Sequence, residues 1–151
     1  MFSISDSSFM SLAIQEAEKA FASNEVPVGA IIVQEDKIIG RGRNRVIANQ
    51  NVSSHAEINA IIDASKYIGN YRLNNAKMYV TLEPCHMCAK AIIDARIDEV
   101  IFAVPEPKTG SIISIDNLFN RVKFNHQVIF RYGLLNHESS NLLKNFFKIK
   151  R

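Results

Sequence analysis

Residues 77–88 read Lys77-Met78-Tyr79-Val80-Thr81-Leu82-Glu83-Pro84-Cys85-His86-Met87-Cys88, and this stretch decides the fold. Residues 77–82 have the length and β-forming content of a strand. Pro84 then suits the opening of a helix, because it has no N–H to leave unpaired. That helix is expected from Cys85 to about Arg96, with another strand over Glu99–Val104. The same alternation extends outward. Toward the N-terminus, residues 7–23 form an amphipathic helix with Phe9, Leu12, Ala13, Ala17, Ala20 and Phe21 on one face. Pro27 and Gly29 lead into a strand at about Ala30–Gln34, and Glu35-Asp36 turns it into a second at about Lys37–Asn44. On this second strand Gly40, Gly42 and Asn44 share one face, and Arg41, Arg43 and Arg45 share the other. The glycines allow something to approach the backbone closely, and the arginines are expected in solvent.

A polar loop, Asn49-Gln50-Asn51-Val52-Ser53-Ser54, precedes a helix with Ile58, Ile61 and Ile62 on its buried side. Beyond Val104 come a Pro-rich loop (105–110), a short irregular segment, a strand at Gln127–Arg131 and a last helix at about Leu135–Lys150. The order α-β-β-α-β-α-β-β-α predicts an α/β layer fold with helices on both faces of one sheet. Ligands in such sheets collect where strands end and helices begin.

The length of 151 residues fits one domain, 1–151, with its own core. A hydrophobic fraction of 47% and a charged fraction of 22% are those of a soluble protein. The longest apolar run, Val28–Val33, is too short for a bilayer. Met1-Phe2-Ser3-Ile4-Ser5-Asp6 carries no secretory signature, so a cytoplasmic protein without a membrane partner is expected. Charge is uneven. Residues 121–151 hold seven basic side chains (Arg121, Lys123, Arg131, Lys144, Lys148, Lys150, Arg151) against Glu138 alone, while the rest of the chain is acidic overall. A basic end on an acidic domain suits a polyanion partner; a solubilising helix accounts for the charge equally well.

Both cysteines lie in one Cys-x-x-Cys, and His55-Ala56-Glu57 lies upstream. A thioredoxin-like pair would follow the first strand and would need no histidine. One histidine and two cysteines instead suit a zinc ion with its fourth position open, as in hydrolytic rather than structural sites. Cys85 and Cys88 fall on one side of a first helical turn, where the helix dipole favours thiolates. Glu57 is the candidate catalytic carboxylate, placed to move protons of the attacking water. Ser54-x-x-Glu57 also reads as a capping box that merely ties down a helix start. His86 is expected to point away from the metal. His126 contacts substrate or closes a turn, and His137 is a surface residue.

The pattern His-x-Glu followed by Pro-Cys-x-x-Cys is that of the zinc nucleobase deaminases. Over nearly its full length the chain resembles the bacterial tRNA-specific adenosine deaminases. The resemblance lies in Glu25-Val26-Pro27-Val28-Gly29-Ala30, Asn44-Arg45, His55-Ala56-Glu57-Ile58 and Asn70-Tyr71-Arg72-Leu73. It continues through Tyr79–Cys85, Met87-Cys88-Ala89, Lys108-Thr109-Gly110 and Phe146-Phe147. It implies a cytidine deaminase-like three-layer α/β/α fold with a five-stranded mixed sheet, one Zn²⁺ per chain, and a homodimer. It further implies conversion of the wobble adenosine in the anticodon stem-loop of an arginine tRNA to inosine. Carried onto this sequence, Asn44 is similar to the residue that hydrogen-bonds the flipped base. Val28, Ala56, Leu82, Glu83 and Pro84 are similar to the pocket wall. Arg72, Lys108, Phe146, Phe147 and Lys148 are similar to segments that hold the anticodon loop. On the last helix Lys144, Lys148 and Arg151 form one stripe, and Leu143, Phe146 and Phe147 lie on another. The chain departs from the family at Asn51-Val52-Ser53-Ser54, where Asp-Pro-Ser/Thr is usual, at Lys90 in place of glycine, and at Glu106 in place of aspartate. Two rivals remain at this level: a deaminase of a free base, nucleoside or nucleotide, and a non-catalytic zinc-stabilised RNA-binding module.

Overall fold

The structure is a computed structural model that describes residues 1–150, so Arg151 of the basic stripe lies outside the described residues. Its elements are α1 (Ile4–Ala22), β1 (Gly29–Gln34), β2 (Lys37–Arg43), α2 (Ala56–Ile68) and β3 (Ala76–Leu82). They continue with α3 (His86–Asp94), β4 (Glu99–Val104), α4 (Leu118–Arg121), β5 (Ile129–Tyr132) and α5 (Asn136–Lys150). Successive side chains of a strand point to opposite faces, and here both faces are covered. Ala30, Ile32, Met78, Val80, Val100 and Phe102 enter one core, with α2, α3 and α4 against it. Ile31, Val33, Tyr79, Ile101 and Ala103 enter the other, under α1 and α5. This is the expected three-layer α/β/α arrangement.

The five-stranded sheet has the order β2-β1-β3-β4-β5. Strand β1 is antiparallel to β2 and β3, whereas β3, β4 and β5 run parallel. A parallel pair needs a crossover; α3 supplies one and the segment 105–128 the other. Both parallel connections leave from the same end of the sheet, at Leu82 and Val104, and the chain's chemistry-bearing residues cluster there.

Element boundaries differ from expectation for local reasons. Helix α1 starts at Ile4 because Ser3 Oγ accepts from the Asp6 N–H at 3.0 Å and the Asp6 carboxylate accepts from the Ser3 N–H at 3.0 Å, a reciprocal cap. Helix α3 stops at Asp94, just before Arg96 turns left-handed at φ 63°. The irregular segment holds the single turn α4. The largest correction concerns α2. Its buried stripe is Ala56, Ala60 and Ala64 with Glu57, while Ile58 and Ile61 are half-buried and Ile62 is exposed. The cause is the glycine pair of β2: a Cβ at Gly40 would sit 2.6 Å from the Ala60 carbonyl and 2.7 Å from Ala64 Cβ. Helix α2 therefore lies so close to the sheet that only alanines fit between them. Among the described residues no helix is long and apolar enough to cross a membrane.

A buried polar network ties α1 to the sheet. Tyr79 donates to Asp6 at 2.6 Å, and Arg131 donates to Asp6 at 3.2 Å and to Glu99 at 2.7 Å. Burial of Asp6 opposes its charge, but donors from Tyr79, the Ser3 backbone and Arg131 outweigh it and hold the carboxyl at about 2. A depressed folded pKa contributes stability above the unfolded value of about 3.9 and loses it as pH falls through the folded value. Asp6→Asn is expected to cost about 2 kcal/mol at neutral pH, with about half of that difference gone by pH ~3. Urea denaturation of both proteins from pH ~7 to pH ~3 checks this. A gap that stays constant across the range contradicts it.

Candidate active site

The site forms where α2 and α3 begin. His55 is the N-cap of α2 and Cys85 the N-cap of α3, and neither side chain caps its own helix. Both are free to point outward into the positive ends of two helix dipoles, which favour anionic groups. Cys88, one turn into α3, is buried beside them. His55 Nδ1 lies 3.6 Å from Cys85 Sγ and 3.4 Å from Cys88 Sγ, and the three donor atoms all fall within 4.8 Å of one another. Tetrahedral zinc with bonds of about 2.3 Å to sulfur and about 2.0 Å to nitrogen separates such ligands by about 3.5 Å. The trio therefore fits zinc in both donor type and spacing. Cys88 donates to Cys85, and this, with His55, brings the Cys85 thiol down to about 4 against the opposing effect of burial. The same hydrogen bond and burial push the Cys88 thiol up. A bound cation displaces that last proton.

Glu57 sits in the first turn of α2, 4% exposed. It forms no capping box with Ser54, whose N–H goes to the Asn51 carbonyl at 3.1 Å. Ser54 Oγ is instead engaged with Asn49 Nδ2 at 2.8 Å and Asn59 Nδ2 at 3.0 Å, which disposes of the capping-box alternative. Burial, with the Cys85 charge adding to it, pushes the Glu57 carboxyl up to about 7.

A cavity of about 200 Å³ opens over these groups. Among the residues expected at the site, Val28, Asn44, Ala56, Leu82 and Glu83 line it together with His55, Glu57 and Cys85. Val26 and Thr109 also line it and were not expected; Thr109 lies inside the Lys108-Thr109-Gly110 segment, and that segment was the available signal. Asn44 donates from Nδ2 to the Val26 carbonyl at 3.3 Å, while its buried Oδ1 has no hydrogen-bond partner among the described residues. Pro84 is buried behind the wall, where its carbonyl accepts from the Ser111 backbone and hydroxyl, both at 3.0 Å.

Glu83 also organises the loop that closes one side of the cavity. Its carboxylate accepts from the backbone N–H groups of Glu106 (3.0 Å), Ile112 (2.9 Å), Ile113 (2.8 Å) and Ser114 (3.1 Å). Burial opposes its charge, but these donors hold it below the usual carboxylate range. Gly110 packs on that carboxylate so tightly that no Cβ fits. Glu106, in turn, accepts from the Lys108 N–H at 2.9 Å, so the longer carboxylate here closes its own loop. On the opposite side, Glu25 holds the loop after β2 through the N–H groups of Ile47 (3.1 Å) and Ala48 (2.8 Å). Asn51 builds a local turn with Ser53 (2.9 Å to its N–H), standing in for the usual aspartate.

The remaining residues fall outside the cavity. Lys108 is exposed on the loop. Phe147, 47% exposed, and Lys148 line an adjoining groove with Leu82, Pro105, Glu106 and Pro107. Phe146 is buried and meets Phe21 edge-on at 5.7 Å, so it anchors α5 to α1. Arg72 lies before the start of β3, a strand's length (about 20 Å) from the cavity at the other end, and leans on Tyr71. His86 turns outward to Asp116 at 2.8 Å, and His126, expected to contact substrate or close a turn, instead ties the segment before β5 to the Ile97 carbonyl, 29 residues earlier, at 2.8 Å.

A sheet of this topology with an open His-Cys-Cys trio and a buried glutamate defines a zinc-dependent hydrolytic deaminase. The family described as cytidine and deoxycytidylate deaminase zinc-binding region matches residues 3–104. The tRNA-specific adenosine deaminase of Aquifex aeolicus (strain VF5) is 41% identical over 140 residues, covering 93% of this chain and 92% of the relative. That of Haemophilus influenzae (strain ATCC 51907 / DSM 11121 / KW20 / Rd) is 43% identical over 147 residues, covering 97% and 85%. A solved structure from work on A-to-I editing by tRNA:A34 deaminases at the wobble position superposes with a TM-score of 0.87 at 40% identity, covering 90% of this chain and 99% of that one. The chain belongs to the tRNA-specific adenosine deaminases of the zinc-dependent cytidine and deoxycytidylate deaminase family.

The wild-type protein is expected to carry about one zinc per chain, and Cys88→Ser about none. Metal analysis after gel filtration checks this; undiminished zinc in Cys88→Ser would remove that sulfur from the ligand set.

Proposed function

We propose that this chain, as one domain in a homodimer, converts the wobble adenosine in the anticodon stem-loop of an arginine tRNA to inosine and releases ammonia. The observation that carries the reading is Asn44. An unpaired amide oxygen in a buried wall is costly unless a ligand donates to it, and the adenine amino group is such a donor. The cavity volume agrees. At about 200 Å³ it is smaller than sites for drug-sized ligands, about 300–1,000 Å³, and suits a single base with the rest of its nucleotide outside. Taking one base out of its stack is how enzymes reach such atoms in nucleic acids.

The residues divide the work. Val28, Ala56 and Leu82 give the ring apolar walls, and Asn44 fixes its edge. His55, Cys85 and Cys88 would hold a zinc ion, which when bound would supply Lewis-acid activation of the attacking water. Glu57 takes one proton from that water and passes it to a ring nitrogen as the oxygen adds to the ring carbon. It then takes the remaining hydroxyl proton as the carbonyl forms and the C–N bond breaks, and delivers it to the departing amino group, which leaves as ammonia. Phe147, Lys148 and Lys108 border the groove and loop beside the cavity and are assigned to flanking nucleotides, by stacking and by phosphate contact. Phe146 supports them from beneath. Arg72 cannot reach its own chain's cavity, so its contact with the anticodon loop is assigned across the dimer. The half-uncovered Ile58 and Ile61 of α2 supply an apolar surface for that association.

Purified protein is expected to form inosine in the stem-loop while leaving free adenosine, cytidine and guanine untouched. Glu57→Gln should reduce turnover roughly 10²–10⁴-fold with zinc content unchanged. Deamination of a free compound beside an inert stem-loop overturns the substrate assignment. Full turnover by Glu57→Gln overturns the proton-transfer role.

A further inference from the structure

A second recess, of about 550 Å³, lies over β2, the outer strand of the sheet. Arg41, Gly42, Arg43 and Arg45 form its floor, with Glu16 and Lys19 of α1 and Asp63 and Lys66 of α2 at its rim. A bare sheet edge recruits another strand, but this edge is already occupied. Asp63 accepts from the Arg41 N–H at 2.9 Å, and Asn59 Nδ2 donates to the Arg43 carbonyl at 2.9 Å. What the recess offers is charge.

Five cations face two carboxylates there. Glu16 is nearly fully covered and is already paired with Lys19 at 3.0 Å and Arg43 at 3.5 Å. Asp63 is engaged by the backbone. Arg41, Arg45 and Lys66 are exposed and form no ion pair with any described residue. Uncommitted cations converging on one concavity raise its positive potential, and guanidinium forks match phosphate oxygens. The location selects the polyanion. Asn44 lines the catalytic cavity and the next residue, Arg45, lines this recess. Residues 41–45, the end of β2 and the two residues after it, span at most about 13 Å when extended, roughly four steps of a duplex at 3.4 Å each.

We infer that this recess binds the phosphodiester backbone of the RNA substrate beyond the nucleotides that surround the reacting base, an inference that rests on the tRNA reading above. The test is the double variant Arg41→Glu/Lys66→Glu, which spares the Arg43–Glu16 pair and the Arg45 next to Asn44. Binding of full-length tRNA is titrated between about 50 and about 200 mM salt, alongside kcat at saturating tRNA. Loss of two phosphate contacts should weaken binding roughly tenfold at the low-salt end. It should also make the slope of log Kobs against log salt shallower by roughly 1.4–1.8, with kcat unchanged and Arg41→Lys/Lys66→Arg behaving as wild type. An unchanged slope and affinity overturns the inference while wild-type editing of tRNA leaves the proposed function standing. A variant that sediments differently from wild type assigns these side chains to a contact between copies and overturns it as well. A wild type that leaves tRNA unedited defeats the substrate reading and takes this inference with it.

Discussion

The contact between α2 and β2 is the constraint on which the site depends. Two side-chain-free positions, Gly40 and Gly42, face a stripe of alanines, Ala56, Ala60 and Ala64, and the helix axis comes as near the sheet as backbone atoms permit. The N-terminus of that helix presents His55 to the two sulfurs of α3 at 3.4 and 3.6 Å. A methyl group on either glycine would have to displace the helix, because interiors packed to near-crystal density have no slack to absorb it. Such a shift would move His55 away from the cysteines and lift Glu57 out of its buried position together. Metal geometry and proton chemistry thus share one mechanical cause, and it is a packing contact with no polar atom in its side chains.

The loops around the cavity are held differently, by two buried carboxylates. Glu83 gathers four backbone N–H groups from one loop, and Glu25 gathers two from the other. Charge-assisted hydrogen bonds of this kind are about twice as strong as neutral ones. They also satisfy backbone donors that an irregular buried segment would otherwise leave orphaned. Loops fixed in this way behave as walls. The groove between the Pro105–Pro107 segment and α5 keeps an exposed aromatic, Phe147, beside exposed lysines.

Much of this was legible in the sequence. The layered fold followed from alternating periodicities, and the trio with Glu57 followed from residue types whose chemistry admits few uses. What was not legible depended on distances between elements. The helical period of α2 fits Ile58, Ile61 and Ile62 inside as well as it fits the alanines; only the glycines opposite decide, and pairing Gly40 with Ala60 requires the sheet register. Phe146 and Phe147 are adjacent in sequence, yet a helix sends them about 100° apart, one into α1 and one toward the groove. Arg72 is separated from the cavity by the whole length of β3, and no local pattern reports on which end of a strand a loop will sit.

A cavity for one base sets a limit on what it can contribute to recognition. Even the best small ligands gain no more than about 1.5 kcal/mol per non-hydrogen atom, and ordinary ones far less. Against this stands the cost of unstacking the base, a few kcal/mol. On the proposed reading the walls of Val28, Ala56 and Leu82 make no sequence-reading contacts, and the Asn44 amide is the group assigned to the ring edge. Choice among RNAs must therefore come from outside the cavity, from surfaces that meet backbone and neighbouring nucleotides. Those surfaces are cationic and exposed, which ties affinity to ionic strength, while Glu57 is buried, where charges are screened less. If the outer surfaces hold the RNA as proposed, binding and catalysis respond to different variables, and a substitution on those surfaces changes one without touching the other.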